Sequence, residues 1–335
     1  HQRRMRRLKN KCNFWSYKVK KEKMAMGHIL RMNPVFKEMI WGGTKLKDIY
    51  GYDIPSDHTG ECWAISAHKN GDCTIADGEY EGKTLSWLFE NHRELFGNIQ
   101  DNIFPLLVKI IGAEDDLSIQ VHPNDEYAAV HENGSLGKTE CWYILDCKED
   151  ANIVIGHHAK DKKELADMIH EGRWNELIRT IPIKKGDFFQ INPGCLHAIK
   201  GGTLLIETQQ SSDITYRVYD YDRLSNGKPR ELHVQQSIDC IEAPHHDYDG
   251  KITVENEGDL TKTTLVKCDF YTLEKWDVAG KYKFTMDKPF MNVSVINGEG
   301  EINGSKITKG DHFIIPSGIG ECKISGDLTV MASYL

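Results

Sequence analysis

Four side chains of this 335-residue chain sit at spacings that could bring them onto one metal ion: Gln120 and His122 in "LSIQVHP", Glu140 in "GKTECWYILD" and His197 in "NPGCLHAIKGG". Along "LSIQVHP" the residues Leu117, Ile119 and Val121 share one face and Ser118, Gln120 and His122 the other, because strand side chains alternate with period two. Taken singly, a solvated strand face, an exposed glutamate and a loop histidine would explain all four. Two features argue otherwise. Glu140 shares its face with the apolar Trp142 and Ile144, and His197 follows a Pro-Gly turn where a strand re-enters the fold. Nitrogen and oxygen donors without thiolate suit a catalytic Zn²⁺ that keeps one position open. The adjacent pairs His157/His158 and His245/His246 fall in expected loops and are expected at the surface.

The elements that must position these groups are mostly short strands: "FPLLVKII", "CWYILD", "NIVIG", "DFFQINPG", "TLLIETQQ" and "ITYRVYDY", with strand and turn throughout after residue 250. Closely spaced strands with Gly-rich turns predict a sandwich or barrel. Helices are few. "TLSWLFENHRELFG" predicts one capped by Thr84 and ended by Gly97, and "NDEYAAVHENG" a short one capped by Asn124. "DKKELADMIHEGRWNELIRT" predicts two, broken at Gly172, the first opened by a capping-box pattern of Asp161 and Glu164. An internal echo links "IKKGDFFQINPGCLHAI" (183–199) to "ITKGDHFIIPSGIGECKI" (307–324), which predicts two related β units joined between about 235 and 262. Aligning Gly194 with Gly318 puts Glu321 where His197 stands, and "MNVSVINGEG" offers no Q-x-H, so the second unit is expected to be metal-free.

Composition excludes several classes. With 39% hydrophobic and 27% charged residues the chain reads as soluble and globular. No apolar run reaches the roughly 18–20 residues that cross a bilayer, and a membrane role is not expected. Nine scattered cysteines without a C-x-x-C argue against a disulfide framework and a thiolate zinc site, and favour a reducing cytoplasm. The net charge of −8 is uneven: residues 1–25 carry ten Lys/Arg against the single acid Glu22. The strongly acidic remainder is a poor nucleic-acid binder. The basic segment has no apolar core of a secretory signal. Translation is expected to start near Met26, with residues 1–25 an upstream extension outside the fold.

As a set, "QVHP", "KTECWY", "GCLHAI" and "LLIETQQSSDITYRVYDYDR" resemble the type I mannose-6-phosphate isomerases in their short bacterial form, over a stretch running from "PVFKEMIWGG" (34–43) to the C-terminus. The resemblance implies a mainly β fold of two cupin-type jelly-roll barrels, with a few short helices packed on the N-terminal catalytic barrel. The catalytic barrel is expected in residues 26–240 and the smaller barrel in 241–335. It implies one Zn²⁺ per chain on His122, Glu140 and His197, with Gln120 as fourth ligand. It places the catalytic arginine on Arg217, and Lys138 and Glu207 at the positions of the active-site lysine and acid. The implied partner is a small sugar phosphate, and a monomer is expected.

Interconverting an aldose and a ketose phosphate moves a proton between C2 and C1 through an enediol. That chemistry needs a Lewis acid, a fixed cation and a base. Arg217 suits the cation, since guanidinium stays charged and presents a rigid fork. Glu207 or Lys138 can carry the proton, and their types alone do not choose between them. Lys138, Arg217 and Arg223 are the cations expected near the substrate phosphate, and Trp41 and Trp63 the expected walls. A cupin oxygenase would call for a His-rich shell, and a sugar-phosphate-binding module would not need the proton-transfer groups.

Overall fold

A computed structural model describes residues 28–335. The basic segment 1–25 and Met26 lie outside the described residues. The fold is mainly β. A six-stranded antiparallel sheet runs in the order Phe188–Ile191, Glu140–Cys147, Thr203–Gln210, Leu106–Ala113, Thr59–Ile65, Val35–Gly43. Facing it is a five-stranded sheet ordered Tyr216–Tyr219, Ile119–Val121, His197–Ala198, Asn152–His157, Ile178–Pro182. Both are open paths, so this unit is a two-sheet jelly roll and not a closed barrel.

Period-two alternation explains how these sheets stack. In Leu106–Ala113 the side chains of Leu106, Val108 and Ile110 turn outward into one apolar cluster, while Ile111 and Ala113 turn inward into another. Leu204 and Ile206 repeat the outward set and Leu205 the inward one. The inward cluster joins Trp142, Ile144 and Leu205 of the six-stranded sheet to Ile153, Ile155 and Ile199 of the facing sheet side. Strands covered on both faces read as near-continuous apolar runs, and Leu106–Ala113 is buried at every position.

Helices cover the outside of the five-stranded sheet. Asp161 caps Lys162–His170 by accepting from Glu164 N at 2.8 Å. That helix sets Leu165, Met168 and Ile169 against Ile119, Val121 and Val154. Gly172, at φ +65°, separates it from Trp174–Leu177 as expected. The Asn124 cap of Asp125–His131 and the Thr84 cap of Leu85–Asn91 are also present. The single helix expected over 84–97 is two pieces, because the chain leaves α geometry at His92 and continues as a 3₁₀ turn, Arg93–Phe96. This seats Phe96 among Phe89, Phe104 and Phe290, with centroids 5.3, 5.7 and 6.0 Å away.

The second unit is built on three long strands, Thr272–Thr285, Phe290–Ile302 and Glu321–Tyr334, within a nine-stranded sheet. Leu30–Asn33 joins that sheet by pairing with His312–Pro316. Gly326 lies opposite both Gly280 and Gly300, and a Cβ there would stand 2.4 Å from the Glu299 carbonyl oxygen, so only glycine lets the strands approach and bend together at this point. One core of this unit gathers Trp276, Val293, Phe313 and Val330. A second is shared between units: Leu273, Phe290, Ile314 and Met331 pack with outward residues of the six-stranded catalytic sheet.

Candidate active site

The six-stranded sheet sends Glu140, Glu207, Lys109 and Glu61 toward the facing sheet, and Lys138 comes from the segment just before the Glu140 strand. His122 follows the Ile119–Val121 strand, whose Gln120 lies in register with His197 on one side and Arg217 on the other. Gln120 itself is half-buried and lines the cleft. The opening strand therefore has no solvated face: Ser118 and His122 are 3% and 1% exposed.

His122, Glu140 and His197 form a buried cluster whose ligand atoms lie within 4.8 Å of one another, a geometry that could hold a metal ion. His122 Nδ1 donates to the Ile214 carbonyl at 2.8 Å and His197 Nδ1 to the Cys195 carbonyl at 2.9 Å. Each imidazole is thereby fixed in the tautomer that leaves Nε2 unprotonated, that of His122 standing 3.3 Å from Lys138 Nζ. The two Nε2 atoms converge to 3.1 Å, and each stands 3.4 Å from a different Glu140 oxygen. Burial pushes the His122 pKa down to about 3, with the Lys138 charge adding to it, and burial lowers His197 as well. Two neutral nitrogen acceptors face to face with a carboxylate repel each other unless a cation lies between them, so the donor set fits a divalent metal.

Beside the cluster lies a charged array. Lys138 Nζ is 2.6 Å from Glu140 and 3.7 Å from Glu207. Although burial opposes its charge, the carboxylates of Glu140 and Glu207 hold it protonated. Glu140 keeps its charge despite burial, stabilised by Lys138 and the histidines. Glu207 accepts from Trp142 Nε1 at 2.9 Å and lies 3.7 Å from Lys109. Burial, then the charge of Glu140, pushes its pKa up to about 7. A carboxyl poised there can take up and return a proton near neutral pH.

Lys138, Glu207, Lys109 and Glu61 line a cleft of about 300 Å³ that also holds Arg217, with the His122/Glu140/His197 cluster buried behind it. Arg217 donates from Nη1 to the Glu231 carbonyl at 2.8 Å, and its buried Nε has no partner among the described residues. Trp41 and Trp63 line the cleft as expected. Three expectations need correction. Arg223 does not line the cleft: it is tied to Asp220 at 2.6 Å and to the Asp116 carbonyl. Arg230, held bidentately by the same Asp220 at 2.7 and 2.8 Å, lines it instead. His157 is no surface residue, being 5% exposed and donating to the Glu242 carbonyl at 2.8 Å, and its neighbour His245 is half-buried against it.

Lys109 and Glu61 escaped the sequence reading altogether. Lys109 is 5% exposed, 3.7 Å from both Glu61 and Glu207, and lies over the Trp63 ring. Trp63 Nε1 in turn donates to Glu61 at 2.7 Å. A lysine inside the apolar run "FPLLVKII" was the available signal.

Residues 29–178 match the model of the phosphomannose isomerase type I catalytic domain, and residues 261–335 that of the mannose-6-phosphate isomerase cupin domain. The chain is 51% identical over 311 residues to mannose-6-phosphate isomerase ManA of Bacillus subtilis, covering 91% of this chain and 98% of the relative. It is 46% identical to the mannose-6-phosphate isomerase of Streptococcus mutans, covering 92% and 99%. A crystal structure of the Bacillus subtilis mannose 6-phosphate isomerase superposes with a TM-score of 0.90 at 48% identity, covering 92% of this chain and 99% of that one. A single-residue variant of the Salmonella typhimurium phosphomannose isomerase shares the fold, with a TM-score of 0.76 at 14% identity over 91% and 99%. The chain is an enzyme of the type I phosphomannose isomerase family.

Proposed function

We propose that the enzyme interconverts D-mannose 6-phosphate and D-fructose 6-phosphate through an enediol, with one Zn²⁺ held by His122, Glu140 and His197 and completed by Gln120. The observation that carries this reading is a cleft lined by Gln120, Lys138, Glu207 and Arg217 with the buried His/Glu/His cluster directly behind Lys138, whose Nζ is 2.6 Å from Glu140. When bound, zinc would supply Lewis acidity that stabilises negative charge on the sugar's O1 and O2.

The remaining work falls to the chain's own side chains. Glu207 is the base: as carboxylate it takes the C2 proton of the aldose and returns it to C1, which gives the ketose. Burial raises its pKa above the usual carboxylate range, which makes the carboxylate a stronger base. The proton lost from O2 ends on O1, and Lys138, held as ammonium, hydrogen-bonds the oxygens between which it moves. Arg217 meets the charge that grows on the enediolate, a contact stronger in the transition state than in the ground state. Trp41 and Trp63 wall the cleft against water. The enzyme is read as a cytoplasmic monomer with a catalytic unit in 26–240 and a smaller unit in 241–335. Two facts support the placement: the described cysteines are all free, and no described helix is long and apolar enough to cross a membrane.

A coupled assay on mannose 6-phosphate, before and after chelation and again after zinc is restored, tests the proposal. Activity lost on chelation and recovered with zinc is expected. Full turnover by metal-free enzyme, with no metal by elemental analysis, would overturn the zinc reading.

A further inference from the structure

Arg217 lies on Tyr216–Tyr219, the edge strand of the five-stranded sheet. An edge strand leaves one row of peptide groups without a strand partner. Here a single residue supplies both bonds at Arg217. His233 N donates to the Arg217 carbonyl at 2.8 Å, and Arg217 N donates to His233 Nδ1 at 3.1 Å. Two residues earlier, the Glu231 carbonyl accepts from the Arg217 guanidinium at 2.8 Å. On the inner side the register with Ile119–Val121 shifts between Arg217 and Tyr219, so the ladder is interrupted where the arginine must be aimed.

His233 is itself anchored. It caps the helix Val234–Cys240, its carbonyl accepting from Ser237 N at 2.9 Å and from Ser237 Oγ at 2.6 Å. Beyond that helix Glu242 N donates to Gly194 O at 2.9 Å, and Gly194 N donates to His122 O at 3.0 Å. The helix thus spans from the arginine's strand to the turn that leads into His197.

We infer that His233 is a positioning residue for Arg217: its imidazole substitutes for the missing neighbour strand and fixes the arginine's backbone, while Glu231 fixes its guanidinium. The inference rests on the proposed role of Arg217. A misaimed donor loses stabilisation of the transition state more than affinity for the ground state, so the effect falls on kcat.

The test is a double-mutant cycle with steady-state kinetics on mannose 6-phosphate. His233→Leu removes the ring acceptor at similar volume and should lower kcat by about tenfold with KM within about twofold. His233→Asn sets Oδ1 at the branch position of Nδ1, where it can accept from Arg217 N, and should return kcat to within about threefold of the parent. In an Arg217→Ala background, His233→Leu should cost less than about twofold, because the group it positions is gone. Parental kcat in His233→Leu, no rescue by His233→Asn, or an undiminished cost in the Arg217→Ala background would each overturn the inference alone. Parental kcat in Arg217→Ala itself would overturn the catalytic reading and the inference with it.

Discussion

The stretches 183–199 and 307–324 carry the same turn to opposite ends. In the first, Lys184 N donates to Asp187 Oδ2 at 2.9 Å and Asp187 N to Lys184 O at 3.1 Å; in the second, Thr308 N donates to Asp311 Oδ2 at 2.8 Å and Asp311 N to Thr308 O at 2.9 Å. Gly186 and Gly310 take φ +91° and +95° between them, and Gly194 and Gly318 mark the later turn at +87° and +77°. After that turn the side chains part. His197 is fully buried beside Glu140, whereas Glu321 at the equivalent place is 59% exposed. Behind the first turn the sheets enclose three carboxylates and two lysines; behind the second they enclose Trp276, Val293, Phe313 and Val330. One backbone device thus serves a core that gives up apolar packing for charge, and another that keeps it and braces the first through a shared cluster.

The largest effect expected from breaking this contrast is at the cluster. His122→Ala removes a ligand from the charged unit and should abolish both metal content and turnover, measured by elemental analysis and the coupled assay. His312→Ala in the second unit, where the buried ring bonds Ser294 at 2.8 Å and Tyr52 at 2.7 Å, should lower stability and leave metal content unchanged. Loss of metal in both variants would erase the distinction.

Glu207 comes next. Glu207→Gln should lower kcat by about 10²–10⁴ with metal retained. Its folded pKa is raised from 4.5 to about 7. Two pH dependences follow. The base form grows in as pH rises through the folded midpoint, so the activity of the metal-loaded parent should climb with pH through a midpoint below that of the metal-free protein. The group's stabilising contribution is complete below the unfolded value near 4.5 and disappears as pH rises through the folded one. Glu207→Gln should therefore melt higher relative to the parent at pH 8 than at pH 5. Melting curves that shift equally at both pH values would sink the assignment. A divalent cation in the cluster should move the midpoint down, which chelation would reverse.

Arg217→Ala is expected to cost about 3–4 kcal/mol of transition-state stabilisation, roughly 10²–10³ in kcat, with metal and fold kept. Arg217→Lys should recover only part, because a point charge lacks the guanidinium fork. Near-parental turnover in the alanine variant would remove Arg217 from the mechanism.

How far the sequence reached follows from where alternation leaves a mark. "LSIQVHP" announced its site because polar residues recur on one strand face, and Thr84, Asn124 and Asp161 announced helix starts through local cap chemistry. Glu61 was silent, and Lys109 showed only as one lysine in an apolar run, because their strands are buried on both faces and no polar stripe distinguishes the inside of the jelly roll from its outside. Arg223 and Arg230 look alike in sequence. Only the folded hairpin decides that both bind Asp220 while Arg223 also reaches the Asp116 carbonyl and Arg230 lines the cleft. His157 read as a loop residue because its partner, the Glu242 carbonyl, is 85 positions away.

The smallest effect sharpens the comparison most directly, since it changes the same atom in both turns. Asp187→Ala and Asp311→Ala each remove a carboxylate oxygen that accepts a backbone N–H three residues earlier, worth about 1 kcal/mol. Their ion pairs differ. Asp187 meets Lys184, whose side chain is 82% exposed and contributes little when screened by water. Asp311 meets Arg31 at 3.2 Å, with side chains 21% and 32% exposed, and Arg31 belongs to the N-terminal strand paired into the second sheet. Asp311→Ala should therefore cost more than Asp187→Ala, by up to about 1 kcal/mol in denaturant unfolding. Asparagine separates the two contributions, because its amide oxygen keeps the turn and discards the charge. Asp187→Asn should be nearly neutral, and Asp311→Asn should retain only the excess cost of its alanine counterpart. Equal costs at both sites, in alanine and asparagine alike, would show that the turns are energetically as well as geometrically the same, and that Arg31 adds nothing to the junction.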